Sequence, residues 1–128
     1  MVFDSNVLIS ALVFPGKRAE KALLRIIDGR DQLVISKPII DEVLEVLAKK
    51  FARDSEQLAR VALLLAELGE VVRPTRDLRV LHDDADNRIL ECAVAGGADV
   101  IVTGDNAMLE LGSFEQVRLL SLRAYLES

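Results

Sequence analysis

This sequence predicts an α/β fold: a parallel sheet covered by helices on both faces, in three α/β/α layers. Three observations carry that expectation. Short apolar runs of strand length alternate with longer stretches whose apolar residues recur at helical spacing, the pattern of repeated βαβ units. The 128 residues are 51% hydrophobic yet only 4% aromatic, with no Trp, an aliphatic bias that suits stacked helices and parallel strands better than a β-sandwich. Glycine and proline fall between the runs, with no internal repeat, low-complexity tract or long Gly/Ser linker. The length fits a single domain spanning residues 1–128.

In chain order, Val2-Phe3 reads as the end of a short strand. An apolar helix from about Asn6 to Val13 follows, stopped by Pro15-Gly16. From Arg18 to Asp28 the apolar positions Ala22, Leu23, Ile26 and Ile27 keep helical spacing until Gly29. Leu33-Val34-Ile35 is a second buried strand. Ser36-Lys37-Pro38 opens the next helix, with Ser36 as N-cap and Pro38 in the first turn, where its missing donor costs little. That helix should run from Lys37 to about Lys50, and another from Ser55 to Leu68. Gly69 then leads into a third strand, Glu70 to Arg73, stopped by Pro74. A helix over Asp86 to Ala95, the break Gly96-Gly97, a fourth strand Val100 to Val102, a short helix near Asn106 to Leu111, a strand Val117 to Leu120 and a terminal helical turn complete the chain.

Composition narrows the chemistry. One cysteine, Cys92, and one histidine, His82, leave no internal disulfide and make a Cys/His zinc site improbable. A reducing cytoplasm is the default location. No apolar run approaches the ~20 residues that span a bilayer, and no basic segment precedes an apolar one at the N-terminus, so a soluble, unexported protein without a membrane role is expected. The net charge of −5 argues against a generic nucleic-acid coat. It leaves room for a nucleic-acid enzyme, because clustered carboxylates that hold a cation make the total acidic while the cation reverses the local field.

Parallel sheets bind ligands beyond the carboxyl ends of their strands. Asp4 directly follows the first strand, and Asp105 follows the fourth after Thr103-Gly104. Either could simply cap the helix after it, for about 1 kcal/mol. In HDDADNRILECAV, Asp86 shares a helical stripe with Ile89, Leu90 and Ala93 and so projects toward the core-facing side, where an unpaired charge costs several kcal/mol. Asp83 imitates the N-cap of a capping box there. In the helix after the second strand, Asp41 and Glu42 both border the buried face set by Ile39, Ile40, Val43, Val46 and Leu47, and periodicity does not choose between them. The topology thus gathers Asp4, Asp86, Asp105 and one of that pair at one sheet edge. Carboxylates so gathered need a cation, and an all-oxygen set suits Mg²⁺ or Mn²⁺, which polarise a phosphodiester and activate water.

The segments DSNVLISAL, SKPIIDEVLEVL and DDADNRILECAVAGGADVIVTGDNAML, in that order over essentially the whole chain, resemble the PIN-domain ribonucleases, more narrowly the toxin-like (VapC-like) PIN proteins of prokaryotic toxin and antitoxin pairs. The resemblance implies a Rossmann-like sheet of about five parallel strands and metal-dependent hydrolysis of single-stranded RNA. It makes Asp4, Asp86 and Asp105 the metal ligands and Glu42, rather than Asp41, the helical acid that orients or deprotonates the attacking water. Asn6 and Thr103 match supporting polar positions, and Asn106 stands where many relatives carry another acid. It also implies a homodimer and a cognate antitoxin protein. The apolar helix LARVALLLAEL would serve either surface, or else be buried within the monomer. Lys17 and Arg18 are candidate contacts to the RNA backbone.

Two other readings are open. A haloacid-dehalogenase-like phosphatase also begins with an aspartate after its first strand, but needs a second one where Asn6 stands. A catalytically weak PIN scaffold would bind RNA or protein without cutting.

Overall fold

The computed structural model describes residues 1–128. Its elements are β1 (Val2–Phe3), α1 (Ser5–Val13), α2 (Arg18–Ile27), β2 (Leu33–Ser36), α3 (Lys37–Phe51), α4 (Ser55–Leu68) and β3 (Gly69–Val72). After an irregular stretch come α5 (Asp84–Ala95), β4 (Val100–Val102), α6 (Asn106–Leu111), β5 (Ser113–Phe114), β6 (Val117–Leu120) and α7 (Leu122–Leu126).

β1, β4 and β6 pair in parallel, as do β2 and β3, while β5 runs antiparallel on the outer edge of β6. The two groups meet at their first residues. The Met1 amine donates to Gln32 O (2.8 Å) and the Val34 amide to Met1 O (2.7 Å), the alternation of a parallel pair. The resulting order, β3-β2-β1-β4-β6-β5, holds the five expected parallel strands and reverses direction between β1 and β4. In such sheets that reversal opens a crevice beyond the strand ends.

β1, β2 and β4 are buried throughout, which is why they read as unbroken apolar runs. Right-handed crossovers put helices on opposite faces either side of the reversal. Alternate residues of β2 show the two faces: Leu33 and Ile35 lie toward Gly69, and Val34 lies toward the end of α5. Gly96 closes α5 against that strand, and a Cβ there would fall 2.2 Å from Val34 Cγ1. Gly96→Ala should therefore destabilise the fold by about 1–3 kcal/mol, read as a lower melting temperature, because β-branched Val34 has little rotamer freedom with which to yield.

Several boundaries differ from the sequence expectation. Ser36 ends β2 but makes no cap: its side chain is fully buried and bonds no helix amide, lying instead beside the Cys92 thiol of α5. Alternation along the strand turns it inward with Val34, away from the helix amides. α5 begins two residues before Asp86, because Asp83 takes the Ala85 amide at 2.9 Å and starts the helix there. β3 begins at Gly69 and stops before Arg73. β5 has no apolar alternation to announce it.

α4 buries only Leu65 fully; Leu63 is 60% exposed and Leu64 38%. Its apolar surplus is thus not absorbed by the core. No helix is long and apolar enough to cross a membrane.

Candidate metal centre at the sheet edge

Asp4 and Thr103 end the two strands that flank the reversal. Extended backbone at Asp4 turns its side chain back over the first turn of α1, where Oδ1 accepts the Asn6 amide at 3.3 Å. Its other oxygen, Oδ2, accepts the Thr103 hydroxyl at 2.7 Å across the sheet. Thr103 is fully buried, and the same hydroxyl oxygen accepts the Asp105 amide at 3.0 Å. One threonine thereby ties the first acid to the last. Asp105 caps α6 through Oδ1 to the Met108 amide at 3.0 Å, which leaves its second oxygen unused by the protein.

Glu42 lies on the side of α3 that meets α1, and its Oε2 accepts the Ser5 hydroxyl at 2.7 Å. Asp41 turns outward to Lys37, also at 2.7 Å, as an exposed i,i+4 pair. Asp86 differs from the others: it is 8% exposed and its carboxylate accepts no protein hydrogen bond. Burial, and then the charges of Asp105, Asp83, Asp4 and Glu42, push it up to about 7. Burial also raises Asp4, against the Thr103 hydrogen bond, with Asp105 adding to the rise.

Folded Asp86 thus keeps a proton that the unfolded chain releases near 3.8. The stability it contributes is whole below about pH 4 and is lost as pH rises through about 7. In chelator, the melting temperature should fall between pH 5 and pH 8, and Asp86→Asn should remove most of that fall.

No three His, Cys, Asp or Glu side chains stand close enough to enclose one ion. Asp4, Glu42 and Asp105 each lean on a different protein donor. The donor set nonetheless fits a hard divalent cation. All donors are oxygen, Asp86 has both oxygens free of protein donors, and the surrounding charge is uniformly negative.

Other predicted residues stand further off. Asn6 is exposed and contributes its backbone amide; Asn106 is exposed on α6 with no side-chain hydrogen bond. Lys17 and Arg18 lie beyond the far end of α1, a helix about 14 Å long. They line a cavity with Ser10, Phe14, Ala19 and Leu122 that includes none of the four acids.

Three participants carry little sequence signal. Ser5, 1% exposed, holds Glu42. Asn87, also 1% exposed, takes the Val80 and Leu81 amides on Oδ1 and gives Nδ2 to Leu81 O. Glu91 takes the Leu78 amide at 2.8 Å and pairs with Arg88 at 2.9 Å. Together Asn87 and Glu91 fasten the irregular stretch before Asp83 and so fix where α5 begins. Polar residues at buried positions of the helix that carries Asp86 are the one available hint.

The model of a family described as PIN domain matches residues 1–107. No curated protein sequence matches the chain. A chain in the crystal structure of VapBC2 from Rickettsia felis, bound to a DNA fragment from their promoter, is similar in fold. Its TM-score is 0.63 at 14% identity, and the match covers 94% of this chain and 98% of that one.

Proposed function

The chain belongs to the PIN-domain family, and from that premise we propose that it is an endoribonuclease that hydrolyses phosphodiester bonds of single-stranded RNA with Mg²⁺ or Mn²⁺. The observation that carries this reading is Asp86: a buried carboxylate with no protein donor, whose charge is opposed by those of Asp105, Asp83, Asp4 and Glu42, calls for a cation.

Asp4, Asp86 and Asp105 would hold the ion, whose chemistry when bound is to polarise a phosphoryl oxygen and lower the pKa of a water. Thr103 keeps Asp4 and the Asp105 backbone in register across the sheet. Glu42 accepts the proton of the attacking water on Oε1 while Ser5 fixes Oε2. With one exposed histidine in the chain, no histidine pair offers a metal-free route. Residues 1–128 act as one domain in this reading.

The same reading makes the chain the VapC-like toxin of a cytoplasmic toxin-antitoxin pair, working as a homodimer and held by a cognate antitoxin protein. Exposed Leu63 and Leu64 on α4 support a protein partner. The spread of the carboxylates favours the alternative, a scaffold that binds RNA uncut.

The test is a panel of labelled single-stranded RNAs, duplex RNAs and single-stranded DNAs in Mn²⁺, Mg²⁺ or EDTA. Cation-dependent cleavage confined to single-stranded RNA is the expected result. RNA bound but left whole in every cation would establish the scaffold.

A further inference from the structure

A chain of net charge −5 gathers several bases in one place away from the four acids of the sheet edge. A cavity of about 450 Å³ between α2 and α7 is lined by five bases, Arg18, Lys21, Arg25, Arg30 and Arg123, against two acids, Asp28 and Glu127. Only Arg123 is paired with a carboxylate, Glu127 at 3.1 Å; the other four make no ion pair.

Arg25 is held rigidly. Its guanidinium donates to Tyr125 O (3.1 Å) and Leu126 O (2.9 Å) at the end of α7 and lies 4.9 Å from the Tyr125 ring centroid. Arg18, Lys21 and Arg30 are exposed and donate to no protein acceptor. Leu24 and Leu126 give the cavity an apolar wall. Free, fork-shaped donors beside an apolar wall match a strand that presents phosphates and unstacked bases.

We propose that this α2/α7 cavity binds the phosphodiester backbone of single-stranded RNA at a second site, distinct from the acidic edge. The proposal rests on the ribonuclease reading, which already requires such a strand on the molecule. It also gives the otherwise acidic chain a means of attracting RNA, since a local basic field steers a polyanion whatever the net charge. α1, about 14 Å long, separates the level of Asp4 from the turn that leads to Arg18, roughly four nucleotides of a stacked strand at ~3.4 Å each.

The experiment measures binding of a fluorescein-labelled single-stranded oligoribonucleotide of mixed sequence, in EDTA so that nothing is cut, across a salt series. It compares the wild type with an Arg18→Gln, Lys21→Gln, Arg30→Gln protein and with a Lys50→Gln, Arg53→Gln control of intact cavity. Three lost phosphate contacts should flatten the slope of log K against log salt by about 2, at ~0.7 per contact, and weaken low-salt binding at least tenfold in the triple variant alone. A slope and affinity equal to wild type would overturn the proposal. So would poly-L-glutamate, but not RNA, losing affinity in the triple variant, which would assign the cavity to an acidic protein segment. Wild-type cleavage in Mn²⁺ is read separately: cleavage with an unchanged salt slope overturns only the cavity, whereas a flattened slope without cleavage overturns only the nuclease.

Discussion

Asp86→Asn is expected to lower cation-dependent RNA cleavage a hundredfold or more while raising the melting temperature of the cation-free protein. The two effects have one source. Asp86 is buried among Asp105, Asp83, Asp4 and Glu42 without a hydrogen-bond donor, so its charge destabilises the empty fold and becomes useful only when a cation binds. Asparagine keeps the shape and removes the charge. A hundredfold loss corresponds to about 2.7 kcal/mol of transition-state stabilisation. At pH 8, each kcal/mol of relieved repulsion should appear as roughly 3–5 °C of melting temperature in a domain of this length. Melting curves and single-turnover cleavage on one preparation read both. A variant both less stable and fully active would remove Asp86 from the site and return it to a structural role.

Thr103→Val should have the second largest effect, with both changes in the same direction. Thr103 is fully buried; its hydroxyl donates to Asp4 Oδ2 and accepts the Asp105 amide, and valine replaces that oxygen with a methyl group of similar size. Losing a hydrogen bond to a buried carboxylate costs about 1.5–3 kcal/mol. Asp4, already raised by burial, loses the donor that holds it down and moves further up, so less of it is ionised to meet a cation. Stability should fall by several degrees and cleavage about tenfold, with Thr103→Ser restoring most of both. Lost stability with unaltered cleavage would confine Thr103 to the fold.

The fold was legible because parallel strands buried on both faces leave unbroken apolar runs, as Leu33–Ile35 and Val100–Val102 do between helical stretches. What lay outside that pattern was not legible. β5 is two residues long and has no side-chain period to announce it. Ser36 has the residue type and position of a cap, and only the pleat of β2 turns it inward. Nor can periodicity tell how much of α4 a core will cover, because the area on offer depends on where α3 and β3 lie. At the acidic edge, the ends of β1 and β4 could be placed from topology, since strand order brings Asp4 and Thr103 together. Asp41 and Glu42 flank the same helical face, however, and what separates them is the partner each meets, Lys37 or Ser5. Ser5 is an ordinary residue in a first helical turn until α3 is laid beside it.

Cleavage depends on finding the right RNA, whereas cation binding does not, so the most direct measurement of the central claim is thermal. Melting of the wild type and of Asp86→Asn, side by side at pH 8 across a Mn²⁺ titration from chelator upward, isolates the centre from its substrate. A centre built on these acids predicts that Mn²⁺ stabilises the wild type by about 2.7 kcal/mol at a hundred times its dissociation constant, with little or no gain in the variant. Equal stabilisation of both proteins, or none of the wild type, would contradict it.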